Sequence, residues 1–324
     1  MSTGPSEYAG ELRERAAAAL SVFRLRDRLR DYQMLVKPKI TRLVVVTAAI
    51  GFVLAWRQGH AWTWLMLVGT LAGTAMSCMA ASVFNQVIER RTDAKMPRTA
   101  DRPMAAGRVP TAEAWALGGA LLLLGQAALC MFGTPLASAL AAFTVATYAL
   151  VYTPMKRWSP AALYVGAIPG AMPPLIGYTA VTGELFTQAA LAAWVVFAVM
   201  AVWQVPHFLA IGVMYRDDYA AAGLAMHAVR DPSGASSRRN TVIGCVVLLA
   251  AGALPTWLGF AGWIALAVAS VGGLVFLAFA LRWVWAVRGE GVGYAVERRW
   301  ARRVFFASLI YLPVVLAAIV VDAR

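Results

Sequence analysis

Asn85, Glu89 and Asp93 stand four residues apart in the stretch "NQVIERRTDAKMPRTADRP". On a helix that spacing puts three oxygen donors on one stripe about 12 Å long, at ~1.5 Å rise per residue. Such a stripe suits a hard cation. Mg²⁺ binds through one or two carboxylates, keeps several waters and takes substrate phosphates as further ligands. Arg90, Arg91, Lys95, Arg98 and Arg102 follow as candidates to hold those phosphates. The same residues also suit a solvated helix end with local ion pairs. Against that reading, Glu89 lies at the edge of a long apolar run, where an acid seldom stands without a function.

A second acidic pair, Asp217 and Asp218, ends the stretch "WQVPHFLAIGVMYRDDYAAAG", with Arg216 before it. His207 precedes Asp218 by about three helical turns and shares its face. Pro206 opens the helix beside it. His207 reads as a proton shuttle, a ligand or a hydrogen-bonded core residue. A third stripe, Tyr148, Tyr152 and Lys156, repeats the four-residue spacing, with Arg157 beside it. Tyr and Lys at a helix end are also ordinary interfacial anchors. "KPK" at 37–39 brings Lys39 to a helix start, where a basic edge that snorkels is the ordinary reading.

The elements that must position these groups are membrane helices. The chain is 60% hydrophobic and only 14% charged, against roughly 25% charged in soluble domains. Its apolar residues fall in blocks of the length that crosses ~30 Å of hydrocarbon, without the alternation of a membrane β-barrel. Nine spans are expected, at 41–57, 62–87, 112–132, 136–153, 160–181, 187–214, 240–259, 262–286 and 303–321. The fifth contains "VGAIPGAMPPLIGY", a Gly- and Pro-rich run that predicts a broken helix with close neighbours. Basic residues crowd the N-terminal tail and the long loops, and only Arg57 and Arg324 fall on the other face. That bias makes the N-terminus and long loops cytoplasmic or matrix-side. It also accounts for the net charge of +13 without nucleic acid. Residues 11–36 read as an amphipathic surface helix or a partly disordered basic tail. They are too rich in both charges for a cleaved signal. Cys78, Cys130 and Cys245 lack metal or disulfide spacing and read as small core residues.

The three polar stripes converge on one membrane face. Two acidic helix ends would hold Mg²⁺ and a diphosphate, basic residues would rim the site, and the bundle would accept a lipid tail. The implied chemistry is ionisation of an allylic diphosphate, its leaving group stabilised by metal and cations. A dry cavity would keep bulk water from the carbocation. A transporter or heme chaperone explains the spans and basic loops, but not two acidic sites on one face. A quinone-linked redox subunit would need paired histidines, and only His207 lies within a span.

The stretches "NQVIERRTDAKMPRTADRPMAAGRV", "YTPMKRWSP", "GAMPPLIGY" and "WQVPHFLAIGVMYRDDYAAAGLAM" resemble the protoheme IX farnesyltransferases, or heme O synthases, of the UbiA-type intramembrane prenyltransferase superfamily. The likeness runs from Lys37 to Arg324 and leaves residues 1–36 as a separate N-terminal segment. The resemblance implies an all-α polytopic membrane protein, nine transmembrane helices around a central cavity open to the cytoplasmic side. It implies that farnesyl diphosphate alkylates a vinyl group of heme B, water adds, and heme O and diphosphate result. By matching position it makes Asn85, Glu89 and Asp93 the first metal–diphosphate motif and Asp217 and Asp218 the second. It gives Lys156, Arg98 and Arg102 to the diphosphate, and His207 to heme contact or proton handling. Arg91, Arg157, Tyr152, Lys39 and Arg216 complete the expected substrate-binding set. Mg²⁺ is the implied cofactor. The implied partners are farnesyl diphosphate, heme B and the bilayer of a bacterial inner membrane, with heme A synthase or oxidase assembly proteins as candidate protein partners and no nucleic acid. A prenyltransferase for a quinone precursor or another tetrapyrrole is the nearest rival. Two departures stand out. Gln86 and Glu89 replace acids of the quinone-pathway relatives, which points away from 4-hydroxybenzoate as acceptor. "ALYVGAIPG" lacks an Asn common in the family, which leaves the contacts of the fifth span open.

Overall fold

An apolar segment in lipid has no water to satisfy its backbone, so each span must bond within itself as a helix. The computed structural model, which describes residues 26–288 and 293–324, is built this way. Eight helices among the described residues are long and apolar enough to cross a membrane. They are α2 (Pro38–Arg57), α3 (Trp64–Asp93), α4 (Thr111–Phe132), α5 (Pro135–Met155), α8 (Leu191–Met214), α11 (Ala235–Trp257), α12 (Trp263–Ala286) and α13 (Tyr294–Val321). The ninth crossing is made of two ten-residue halves, α6 (Ala162–Ala171) and α7 (Pro173–Thr182), broken at Met172 as the proline pattern predicts. Short helices α9 (Arg216–Ala221) and α10 (His227–Arg230) lie in the loop after α8. Local chemistry sets the starts: Thr63 and Thr134 side chains accept the amides of Met66 and Ala137, each at 3.1 Å.

The helices pack in a ring, α2 to α3, α4, α5, the α6–α7 pair, α8, α11, α12 and α13, which closes back on α2. The tightest join is between α2 and α7. A Cβ on Gly51 would lie 1.8 Å from the Pro174 carbonyl oxygen, and one on Gly177 would lie 1.8 Å from that of Ala48. Only glycine allows the two backbones to meet so closely. This contact fixes the broken helix against α2 and leaves a cavity between α2, α3, α5 and the α6–α7 break.

Before α2, the described residues 26–36 are helical (α1). This helix is not laid free on a surface. Leu35 is buried against Val83, Val87 and Met104, and Asp31 pairs with Arg108 at 2.9 Å. The Gln86 amide donates to the carbonyls of Met34 and Leu35, at 3.0 and 2.9 Å. The rest of the expected N-terminal helix lies outside the described residues. The cysteines depart from the expectation of three core residues: Cys245 is buried, Cys78 half-buried and Cys130 exposed.

Candidate active site

α3 continues beyond the expected end at 87 to Asp93, so the stripe of Asn85, Glu89 and Asp93 is helical throughout. All three are buried, at 2%, 7% and 1% exposure. Buried acids need partners, and each has one. Glu89 is paired with Lys156 from the end of α5. Asp93 accepts from Arg102 Nη1 at 2.8 Å. Asn85 joins the two sides: its Nδ2 donates to Glu89 at 2.8 Å and to Thr153 Oγ1 at 3.2 Å, and its Oδ1 accepts from Lys37 at 3.0 Å.

Lys156 reaches Glu89 because α5 does not stay regular. Residues Thr147–Tyr152 form a wider π-helical turn. Pro154 accounts for it, having no N–H to return to the Leu150 carbonyl and a ring that crowds that carbonyl. The expected stripe survives in altered geometry. The Tyr148 and Tyr152 rings lie 5.3 Å apart, and the Lys156 ammonium stands 4.8 Å from the Tyr152 ring. Burial works against the Lys156 charge, but Tyr152 and Glu89 outweigh it and hold the group protonated above its ordinary range.

Three loops are knitted over this cluster. Met96 is buried against Ala222 and Leu224, and the Ala225 amide donates to the Lys156 carbonyl at 2.8 Å. That brings the second acidic stretch in, though only half of it. Asp218 pairs with Arg98 at 3.6 Å, and the Arg98 guanidinium lies over the rings of Tyr215 and Tyr219, 4.7 and 4.9 Å from their centroids. Asp217 turns the other way. Its side chain is 73% exposed and pairs with Arg216, its neighbour.

The structure thus gathers Asn85, Glu89, Asp93, Tyr152, Lys156, Arg98, Arg102 and Asp218, and leaves out six expected members. Asp217 and Arg216 face a separate groove along α13. Arg91 is exposed, and exposed Arg157 donates to the Ile88 carbonyl at 3.1 Å. Lys39 is exposed, because the chain turns at Lys37 and only the first lysine of "KPK" points inward. His207 lies at the α8–α13 contact, its Nδ1 2.7 Å from Ser308 Oγ and its ring between Trp203 and Phe305. It is not part of the acidic cluster. Gln86 also faces away, toward α1.

Lys37 is the residue that sequence reasoning missed. It is the one non-glycine residue with positive φ among those described, at 47°. Burial lowers its ammonium to about 8, with Arg102 adding repulsion and Glu89 opposing. "KPK" was the available signal, but the left-handed turn that selects Lys37 over Lys39 has no sequence mark. Tyr219 and Thr153 were missed likewise.

Below the cluster lies an apolar cavity of about 130 Å³. Ser77, Cys78 and Ala81 of α3 line it, one to two turns before Asn85, with Tyr148 of α5 and Pro169, Gly170 and Pro173 at the helix break. Among the described residues, no three His, Cys, Asp or Glu side chains converge enough to cage a metal ion alone. The acidic donors are all hard carboxylate oxygens, which fits Mg²⁺ shared with a phosphate rather than held by protein only.

The UbiA prenyltransferase family profile matches residues 44–320. The chain belongs to this family. Curated relatives include a protoheme IX farnesyltransferase from Solibacter usitatus (strain Ellin6076), 38% identical over 91% of this chain and 99% of that one. Another from Opitutus terrae (strain DSM 11246 / JCM 15787 / PB90-1) is 38% identical over 90% of this chain and 94% of that one. The UbiA fold is seen directly in solved structures. A digeranylgeranylglyceryl phosphate synthase structure aligns with a TM-score of 0.73 at 16% identity, covering 91% of this chain and 98% of that one. A UbiA homolog from Archaeoglobus fulgidus bound to DMAPP and Mg²⁺ aligns at 0.58 and 16% identity, covering 89% and 99%.

Proposed function

We propose that this chain transfers the farnesyl group of farnesyl diphosphate to a vinyl group of heme B, giving heme O and diphosphate. The observation that carries the reading is a cluster in which each of Glu89, Asp93 and Asp218 is paired with a base, next to an apolar cavity. Its identity as a farnesyl-to-heme site is supported by relatives at 38% identity over nearly their whole lengths.

The residues divide the work by charge. Lys37, Arg98, Arg102 and Lys156 bind the diphosphate and stabilise it as it leaves. Glu89, Asp93 and Asp218, with Asn85, would hold Mg²⁺, which when bound neutralises the leaving diphosphate. Each of these acids is paired with a base in this structure. Substrate binding therefore amounts to an exchange, the bases turning to phosphate and the acids to the cation. The cavity between α2, α3, α5 and the α6–α7 break takes the farnesyl chain and keeps water away from the allylic carbon. The C1–oxygen bond breaks, the electron pair leaves with diphosphate, and vinyl π electrons of heme B form the new carbon–carbon bond. Water adds to the resulting cation and loses a proton, leaving a hydroxyl group. The setting is a bacterial inner membrane with the polar loops cytoplasmic, in line with their basic residues.

The test is to incubate the purified chain in lipid with heme B, farnesyl diphosphate and Mg²⁺ and to follow heme O by chromatography and mass. Formation of heme O that stops with EDTA is expected. Heme B recovered unchanged sinks the reading, and farnesylation of a quinone precursor instead would replace it.

A further inference from the structure

On the other side of Tyr215 from the acidic cluster lies a groove of about 840 Å³ that the reaction above does not use. It runs between the end of α8 and the first turns of α13. Tyr294, Arg298, Arg302 and Phe305 recur at helical spacing along α13, with Arg299 beside them, and all five line the groove. Arg298, Arg299 and Arg302 are exposed, and among the described residues none of them makes an ion pair. Asp217 stands at the rim with its carboxylate on Arg216 at 3.2 Å. At the back, the Phe305 ring lies nearly parallel to His207 at 5.1 Å, and His207 lies on Trp203 at 4.6 Å. Tyr215 is the shared wall: it lines the groove and also carries Arg98, the partner of Asp218.

We infer that this groove seats the tetrapyrrole acceptor, its propionate carboxylates on the α13 guanidiniums and its ring against the aromatic side chains. The inference rests on the proposed reaction and locates its second substrate. Guanidinium forks match carboxylates in shape as well as charge. A flat macrocycle matches a wall of stacked rings. An acceptor must also come within bonding distance of the ionising carbon, and this groove is one side chain from the diphosphate cluster. A phospholipid headgroup would be drawn to the same arginines, but nothing in its chemistry calls for that position.

The experiment titrates hemin into the full chain in neutral-lipid nanodiscs and reads the Soret band. R298Q/R302Q should weaken hemin at least about tenfold, leave binding of farnesyl thiolodiphosphate unchanged, and be partly restored in R298K/R302K. The dimethyl ester of hemin should bind the wild type as weakly as hemin binds the Gln variant, an effect that mere loss of structure does not produce. Hemin binding to the Gln variant with wild-type affinity, while the wild type makes heme O, overturns the groove and leaves the reaction standing. If the ester binds as tightly as hemin, and phosphatidylglycerol alone fills the groove in an arginine-dependent way, it is a lipid site and the inference falls. A wild type that binds no hemin overturns groove and reaction together.

Discussion

Lys37 holds a left-handed backbone that a residue with a Cβ adopts only at a cost, of order 1–2 kcal/mol. Its ammonium is aimed at Asn85 in return. Strain of this kind persists where the surroundings enforce it. Lys37→Gly keeps the turn and removes the amine. Its expected outcome is unchanged or higher thermal stability with at least about tenfold weaker farnesyl diphosphate binding, read by thermal unfolding and calorimetry. At Glu89, the Gln variant keeps the shape and the bond to Asn85 but leaves Lys156 buried without its counter-charge. Turnover should drop about 100-fold or more, while Glu89→Asp retains part of it in the same heme O assay. A third residue acts far from the cluster. Asp231 accepts the amides of Ser233 and Ser236 at 3.1 and 2.7 Å, and the Ser233 hydroxyl bonds it as well. These bonds hold its carboxyl down at about 2, against ~4 in an unfolded chain. Its stabilisation is therefore full above pH ~4 and is lost as pH falls through about 2. Amide exchange protection at Ser233 and Ser236 should fade over that window, and Asp231→Asn should flatten the dependence.

Among the elements, the stripe on α3 was legible because four-residue spacing has one meaning on a helix, and the proline run marked the α6–α7 break. What spacing does not carry is where a chain turns. Asp217 and Asp218 are adjacent in sequence, yet α9 begins between Tyr215 and Asp217 and sends them to opposite sides. Lys37 and Lys39 are separated in the same way, by a turn that depends on Gln86 holding the end of α1. His207 shares a helical face with Asp218 only if α8 runs on unbroken, and it stops at Met214. The α2–α7 contact was visible as glycines but not as a pair, since nothing in one sequence says which glycines meet. Its consequence is measurable. Gly177→Ala places a methyl on the Ala48 carbonyl, so either the backbones separate or α7 tilts. A loss of about 1–3 kcal/mol is expected from such overpacking, seen as a lower unfolding temperature in detergent. Gly119→Ala on α4, where a Cβ meets nothing, should change little.

For the whole molecule, the fold class and nine crossings followed from composition, because hydrocarbon thickness leaves few alternatives. The site follows from closure of the ring, which brings loops more than a hundred residues apart over one cavity. That arrangement makes the two halves of the substrate complex depend on each other. With Glu89 and Asp93 engaged by Lys156 and Arg102, Mg²⁺ alone meets occupied oxygens. In the proposed exchange, diphosphate would draw the bases away and free the acids. Calorimetry should show weak binding of Mg²⁺ alone and much tighter binding with farnesyl thiolodiphosphate present. Linkage requires the reciprocal gain in thiolodiphosphate affinity when Mg²⁺ is added. Independent affinities would mean that the acids and bases do not exchange partners.

The π turn in α5 bears on how relatives are compared. A π turn holds about one residue more than the α-helix it interrupts. Rewinding Thr147–Tyr152 as a regular α-helix with every residue kept would swing Lys156 about 100° around the axis, away from Glu89, whereas removing one residue with the π turn would leave the lysine facing the acid. A relative whose equivalent helix is regular must therefore carry its lysine one position earlier to reach the same acid. Aligned by counting, the two lysines will look unrelated; superposed in space, they coincide.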